Sequence, residues 1–307
     1  MANRAKKTVI VQTAQEWNAL DSDVSVVILE SYSCNDASLT VLNVSRLTSL
    51  QELSVGDYCF ENVEMVVIEG LPSLNKVIIG SSSFREKSGS FTLKSCPSLK
   101  EMSLGASSFA AYSSLLIEGV PLLEELLIPS NSFVNANAIQ LEGLSGLKKV
   151  AIGENALVNR QGDFVLKSCT SVVELDVGSG SMRLFKRFEV AGVPSLETIR
   201  VGNDCFANVN EVDLNELSGL KRVVVGMNSF TLKKNSYGND PTRGFSLRNC
   251  PALTTLNVGR FSFSDYSTCV IEGVNGLEAI GIGDLNAKSY NFYAASLELK
   301  SGRGWVR

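Results

Sequence analysis

Residues 74–84 read LNKVIIGSSSF, and this stretch decides the fold because the chain repeats it with small variations. The residue that follows each short apolar run marks the repeat: Gly56, Gly80, Gly105, Pro129, Gly153, Gly178, Gly202, Gly226, Gly259 and Gly283. Successive members are 24 or 25 residues apart, except for 33 residues between Gly226 and Gly259. A fixed period of this length is typical of a solenoid, in which each repeat forms one coil. The sequence therefore predicts about ten coils in one register.

Each coil also has a second apolar pattern, in which side chains such as Phe91 and Leu93, or Ile139 and Leu141, stand two residues apart. A period of two indicates a strand rather than a helix. Two short parallel strands per coil are expected, and the fold class is mostly β. A phenylalanine column follows the first strand at Phe60, Phe84, Phe109, Phe133, Phe206, Phe230 and Phe263, with Leu157, Met182 and Ala287 as its exceptions. We interpret this column as core packing.

The first strand and its turn follow L-x-x-L-x-(I/V)-G-x-x-S-F, with Leu74, Val77 and Ile79 on the leucine positions. This pattern resembles the leucine-rich repeat over residues 24 to about 300. Asn131, Asn155 and Asn228 occupy the asparagine position of that family, which other residues fill in the remaining coils. The short coils with little helix are similar to those of bacterial surface proteins and of expanded protist families. The resemblance implies a leucine-rich-repeat solenoid that binds partners.

The N-terminal segment TAQEWNAL predicts a short capping helix. Thr13 stands three residues before Glu16, which is the spacing of a capping box, and Trp17 and Leu20 share one helical face. The expected organisation is an N-terminal cap with an irregular first coil over residues 1–46, a solenoid over residues 47–300, and a tail over residues 301–307.

A larger unit of three coils recurs along the chain. Cys96 and Cys169 lie 73 residues apart at the same corner of the coil, and Cys250 marks a third copy. That copy is longer, because its loop TLKKNSYGNDPTRG adds nine residues to one coil. The three corner cysteines are predicted to be packing residues, and seven cysteines without a signal peptide indicate reduced thiols in a cytoplasmic protein.

Composition argues against several classes of function. The net charge of -4 disfavours a nucleic-acid binder, and no apolar run is long enough to span a membrane. The chain has no histidine, no C-x-x-C and no phosphate-loop motif, so we expect no catalytic residue, no cofactor and no metal. Paired carboxylates such as Glu118 and Glu142 are interpreted as parts of solvated charge ladders.

The remaining candidates are surface residues, and another protein is the expected partner. The outward positions of the first strands would line the concave face of the solenoid: Glu52, Lys76, Glu101, Glu125, Lys149, Glu174, Arg200 and Arg222. Their mixture of charges with Ile78, Leu127 and Val224 suits a protein partner better than a polyanion. A second set belongs to edge loops that depart from the repeat and would suit an acidic segment or a phosphate: Arg183, Lys186, Arg187, Lys233, Lys234 and Arg243.

These observations favour a non-enzymatic scaffold or recognition module that binds another protein. Two alternatives stay open from the sequence alone. The chain could be a structural or surface-exposed, adhesin-like repeat protein, as the bacterial and protist resemblance implies, or it could be the targeting portion of a larger polypeptide.

Overall fold

The computed structural model describes residues 6–300, so the tail at residues 301–307 lies outside the described part of the chain. The chain divides into two compact units, Met1–Ala136 (unit 1) and Asn137–Arg307 (unit 2). Each unit is a parallel β-solenoid with very little helix, and together they have about 11 turns. Within the described residues, no helix has the length and apolar character needed to cross a membrane.

Unit 1 contains a short helix and two parallel sheets. Its elements are β1 (Thr8–Val11), α1 (Ala14–Asn18), β2 (Val26–Leu29), β3 (Val41–Asn43), β4 (Glu52–Val55), β5 (Met65–Glu69), β6 (Lys76–Ile79), β7 (Ser90–Lys94), β8 (Glu101–Leu104), β9 (Ser114–Glu118) and β10 (Glu125–Ile128). One sheet has the order β1-β2-β4-β6-β8 and the other β3-β5-β7-β9. The register pairs Glu52 with Lys76 and Lys76 with Glu101, so equivalent positions of successive coils are neighbours.

Unit 2 repeats this arrangement. Its strands are β11 (Ala138–Glu142), β12 (Lys149–Ile152), β13 (Asp163–Lys167), β14 (Glu174–Val177), β15 (Arg187–Ala191), β16 (Thr198–Val201), β17 (Glu211–Asn215), β18 (Arg222–Val225), β19 (Asp240–Arg248), β20 (Thr255–Val258), β21 (Tyr266–Glu272), β22 (Ala279–Ile282) and β23 (Ser296–Lys300). The first strands β12-β14-β16-β18-β20-β22 pair in sequence. The second strands form two sheets, β11-β13-β15 and β17-β19-β21-β23.

Alternating burial explains why the repeat forms strands. In β6, Val77 and Ile79 are buried while Lys76 and Ile78 are partly exposed, and most other strands follow the same pattern. Because a strand directs successive side chains to opposite faces, the apolar positions of both strands meet inside the coil. The predicted pair of short parallel strands per coil is confirmed.

The turn after each first strand uses two left-handed residues that stand two positions apart. The first of the two is Tyr32, Tyr58, Ser82, Ser107 or Asn131 in unit 1 and Asn155, Gly180, Asp204, Asn228, Phe261 or Tyr290 in unit 2. The second is Cys34, Phe60, Phe84, Phe109 or Phe133 in unit 1 and Leu157, Met182, Phe206, Phe230, Phe263 or Phe292 in unit 2. Asn, Asp or Gly, the residues that tolerate a positive φ best, occupy five of these first positions: Asn131, Asn155, Gly180, Asp204 and Asn228.

The phenylalanine column is buried, as predicted, and its rings also stack on one another. In unit 1, Phe84 lies 4.9 Å from Phe60 and 4.7 Å from Phe109 between ring centroids. In unit 2, Phe263 continues the column to Phe292 at 5.0 Å. The last coil was therefore aligned wrongly from sequence, because Phe292 and not Ala287 occupies the column. Five additional turn residues, 284–288, precede the point at which the repeat resumes.

A ladder of buried serines joins successive coils beside the phenylalanines. The Ser83 hydroxyl donates to the Gly56 carbonyl at 2.8 Å and accepts from the Cys59 amide at 3.0 Å. In unit 2, Ser229 makes the same two bonds to Gly202 and Cys205 at 2.7 and 3.1 Å. The hydroxyls of Ser83 and Ser229 thus satisfy backbone groups that the tight turn leaves without strand partners, which accounts for a serine before the column residue in these coils.

Candidate functional site

The first-strand face consists of the eight outward residues that the sequence selected, and in unit 2 several of them pair with one another. Lys149 Nζ lies 3.0 Å from a Glu174 carboxylate oxygen, and Arg200 lies 3.0 Å from an Asp176 oxygen and also contacts Glu174. A hydrogen bond from Lys149, and next in size one from Arg200, hold the pKa of Glu174 below its usual value. These charges form a surface network, so much of their electrostatic attraction is satisfied within the chain.

In unit 1 the first-strand face combines charge with apolar area. Lys76 lies 3.4 Å from Glu101, while Glu52 is partly exposed on the neighbouring strand. Glu125 is exposed, and so is Leu127, which retains 46% of its accessible surface. In unit 2, Arg222 is exposed at the start of β18.

The edge residues divide into three groups. Arg183, Lys186 and Lys233 are exposed. Two others have acidic partners, since Arg187 contacts Glu189 and Lys234 contacts Asp204. The sixth, Arg243, is only 1% exposed. The structure therefore contradicts the interpretation of Arg243 as a surface cation, whereas the other five lie on the surface.

Arg243 is buried because it takes the position of a glycine in the three-coil block. Gly89 and Gly162 occupy this position in the earlier copies, where an added Cβ would lie 3.0 Å from Tyr112 Cζ and 2.9 Å from Phe185 Cε1. In the third copy, the guanidinium instead lies over the equivalent ring of Tyr266, 4.8 Å from its centroid. Its Nη2 donates to the carbonyls of Ala207 and Val209, each at 2.8 Å.

Asp265 is the buried counter-charge of Arg243. One of its oxygens lies 3.5 Å from Arg243 Nη1 and accepts the Leu232 amide at 3.1 Å. Both side chains are almost completely inaccessible to solvent. The pair therefore connects the core to residues 232–242, the insertion loop that lengthens this coil.

The insertion loop also hydrogen-bonds to the coil beneath it. The Gly238 amide donates to the Ser264 carbonyl at 3.1 Å, and the Asp240 amide donates to the Asp265 carbonyl at 2.9 Å. The Thr231 and Ser264 hydroxyls are 2.8 Å apart, and both residues are buried. The loop is thus held in one conformation at several points along its length.

Three tyrosines meet on the surface where this loop crosses the last coil, and we call them the tyrosine surface: Tyr237, Tyr290 and Tyr293. The ring of Tyr237 lies 5.1 Å from that of Tyr290 and 4.2 Å from that of Tyr293. Tyr237 is 49% and Tyr293 58% exposed. Sequence reasoning treated the insertion as a run of basic residues and did not select these tyrosines. The two segments SYG and SYNFY were the only available signal, and their tyrosines Tyr237 and Tyr290 lie 53 residues apart.

Two grooves adjoin Lys186 in unit 2. One has a volume of about 580 Å³ and lies between β15 and β17, where Lys186, Glu189, Asn210 and Asp213 contribute to its walls. The other has a volume of about 380 Å³ and is lined by Gln161, Lys186, Asn208, Asn210 and Leu232. No strand ladder joins β15 to β17 in the described structure, although β16 and β18 pair fully on the other side of the same coils.

All seven cysteines are buried and free, which includes the three predicted corner residues. Burial raises the pKa of the Cys34, Cys205 and Cys269 thiols to about 12. A thiol in this environment is a poor nucleophile, because the reactive species is the thiolate.

We expect all seven thiols to react slowly in the native protein. At pH 8 only about one in 10⁴ molecules of a thiol with a pKa near 12 is ionised, so reaction with a disulfide reagent requires unfolding. Thiol titration at pH 8 with and without guanidinium measures this reactivity, and rapid native labelling of any cysteine would contradict the expectation.

The raised pKa values also predict that the protein becomes less stable in alkali. The contribution of the neutral thiols to stability is complete below about pH 8.5 and decreases towards pH 12. Denaturant unfolding at pH 8 and pH 10 measures this loss of stability.

Within residues 6–300, no group of three or more His, Cys, Asp and Glu side chains could hold a metal ion. Comparison with protein-family models gives no match to the chain, and comparison with curated proteins gives none either. Any functional conclusion therefore depends on the surfaces described above.

Proposed function

We propose that this chain is a non-enzymatic protein-binding module, built as a leucine-rich-repeat solenoid, and that it binds its partner through the tyrosine surface. The observation that carries the proposal is the contact of Tyr237 with Tyr290 and Tyr293 at 5.1 and 4.2 Å on an exposed edge. Tyrosine is enriched at protein interfaces because it combines a large apolar ring with a hydroxyl and has little side-chain entropy to lose. Three such rings in contact form a preassembled anchor.

Several features support the leucine-rich-repeat assignment. The leucine positions of the repeat are buried, as Leu74, Val77 and Ile79 illustrate, and its polar position coincides with the left-handed turn residue. α1 fits an N-terminal cap, because Thr13 accepts the Glu16 amide and Trp17 contacts Phe60 at 5.9 Å. A buried Trp over the first phenylalanine would shield the column from solvent.

The first-strand face and the exposed edge cations Arg183, Lys186 and Lys233 are further proposed contact regions. The charge network around Glu174 supports a role in orienting a partner, since paired surface charges contribute more to association rate and specificity than to affinity. Seven free cysteines fit a reducing compartment, so a cytoplasmic location is part of the proposal.

A photo-crosslinking experiment tests the proposal. A benzophenone amino acid replaces Tyr237 in one protein and Tyr32 in another, because Tyr32 is also exposed and stacks on Tyr58 at 5.0 Å in unit 1. We expect discrete crosslinked proteins from position 237 in native lysate, and their yield should decrease about tenfold when Tyr293→Ser is added, as expected for loss of an interface hot spot.

The control at Tyr32 separates recognition from general adhesion. Crosslinked species shared equally by both positions, or the absence of any species from position 237, would contradict the proposal. Circular dichroism spectra of the two labelled proteins establish that both are folded.

A further inference from the structure

We infer that the tyrosine surface recognises an acidic segment of a partner protein, in which carboxylates flank an apolar or aromatic anchor residue. This inference rests on the proposed protein-binding function and specifies the chemistry of its ligand. The tyrosine rings would receive the anchor, and the cations around them would pair with the flanking carboxylates.

The first group of cations lies beside Tyr290. The Arg260 guanidinium stacks over Phe261, with its carbon 4.9 Å from the ring centroid, and its Nε donates to the Lys288 carbonyl at 3.2 Å. Phe261 in turn lies 6.1 Å from Tyr290 between ring centroids. Arg260 is thus fixed next to the rings by stacking, and Lys288 is exposed in the same turn.

Lys233 supplies a cation on the insertion loop, which also carries Tyr237. Its side chain passes over Gly238, where a Cβ would lie only 3.0 Å from Lys233 Cγ and 3.2 Å from its Cε. The absence of a side chain at Gly238 therefore allows the lysine stem to lie against the loop, while the residue as a whole stays exposed. A lysine that packs its stem in this way presents its ammonium group to solvent, here on the loop that carries Tyr237.

Two of the acidic residues of the same edge are paired with cations within the chain, and two accept hydrogen bonds from neutral groups. Asp204 pairs with Lys234, and Asp265 is buried against Arg243. Asp240 accepts the Thr242 amide and hydroxyl at 2.9 and 2.7 Å, and Asp284 accepts the Asn286 amide at 2.9 Å. These last two carboxylates keep their charge, because their donors are neutral. The three cations Lys233, Arg260 and Lys288 therefore outnumber the two charged carboxylates Asp240 and Asp284, and this excess of one positive charge favours an acidic partner.

A protein segment fits this surface better than a single-stranded nucleic acid, although both could use aromatic rings with cations. A nucleic-acid groove follows many phosphates with a continuous basic track. Here the chain has a net charge of -4, and among residues 6–300 the cations argued to flank the rings are Lys233, Arg260 and Lys288. The loop is held to the coil beneath it by backbone bonds, so little entropy is lost when a partner binds.

Selection from a displayed library of random 12-residue peptides tests the inference on the full chain. Peptides that bind the unsubstituted protein are selected, and those that also bind the Tyr237→Ser/Tyr293→Ser variant are removed. Only peptides that need the tyrosine surface then remain. We expect the remaining peptides to be enriched in Asp and Glu around an aromatic or aliphatic residue. Synthetic versions should bind at least about tenfold more weakly to Lys233→Glu/Lys288→Glu, and their affinity should fall with rising salt.

The matched control is Lys167→Glu, which reverses an exposed lysine at the end of β13, on the second-strand side of unit 2, and should leave affinity unchanged. Tyrosine-dependent peptides without acidic enrichment, or peptides insensitive to Lys233→Glu/Lys288→Glu, would overturn the acidic inference and leave the protein-binding function standing. A selection without any tyrosine-dependent peptide would overturn both. Tighter binding of a 20-nucleotide oligothymidylate than of the selected peptides would replace the inference with a nucleic-acid ligand.

Discussion

Replacing Arg243 by alanine is expected to lower the free energy of unfolding by about 3 to 5 kcal/mol, because the Asp265 carboxylate would remain buried without its cation. Asp265→Ala should have an effect of similar size for the converse reason. Two hydrogen bonds to the Ala207 and Val209 carbonyls and the stacking on Tyr266 are also lost with the arginine. Denaturant unfolding followed by circular dichroism measures both changes.

The double variant Arg243→Met/Asp265→Leu distinguishes a buried charge from simple packing. Removing both charges leaves neither ion uncompensated, so this variant should recover much of the stability that either single change loses. Arg248→Ala, on the same strand but only half-buried, is the matched control and should cost less than about 1 kcal/mol. Single variants that unfold like the parent protein would show that the pair does not anchor the insertion loop.

The second large effect is expected in the phenylalanine column. Phe206→Ala should destabilise the protein by about 3 to 5 kcal/mol, since Phe206 is fully buried and stacks on Phe230 at 5.2 Å. Phe206 also has a φ of 53°, which an alanine would have to retain at a cost of about 1 to 2 kcal/mol. Glycine has no such cost, so Phe206→Gly should be as stable as Phe206→Ala or more stable.

Phe188 provides the control for this unusual order of stability, in which the glycine variant is at least as stable as the alanine variant. It contacts Phe206 at 4.9 Å but lies in the extended backbone of β15. There, Phe188→Gly should be less stable than Phe188→Ala by about 0.5 to 1 kcal/mol, the ordinary order within a strand. The same order at both positions would contradict a left-handed conformation at Phe206. Unfolding curves of the four variants give the comparison directly.

Much of the fold could be predicted because one short pattern recurs at a constant spacing. Leu74, Val77 and Ile79 set the first strand, Phe91 and Leu93 set the second, and all five residues are buried. The last coil shows where such reasoning fails. Ala287 occupies the expected distance along the chain, yet Phe292 stacks on Phe263, because extra turn residues shift the register and burial of an aromatic ring outweighs constant spacing.

The candidate site was less accessible to sequence reasoning. The edge cations Lys186 and Lys233 could be chosen because they break the repeat, and both are exposed. Arg243 was chosen by the same rule but is buried beside Asp265. A charged residue in a sequence indicates a surface position unless a buried partner of opposite charge is known. Tyr237 and Tyr293 were missed because their contact joins two coils that are distant in sequence.

By itself, the sequence determined that this protein consists of stacked coils with two strands each, because periodic apolar residues permit only one way to bury them together. It also determined the phenylalanine column, except in the last coil, and the buried corner cysteines. Only the tertiary structure decided which residues adopt left-handed backbone, which charges are buried, and which tyrosines meet on the surface. These properties depend on contacts between coils, where Arg243 meets Asp265 and Tyr237 meets Tyr293, and no local pattern encodes such pairs.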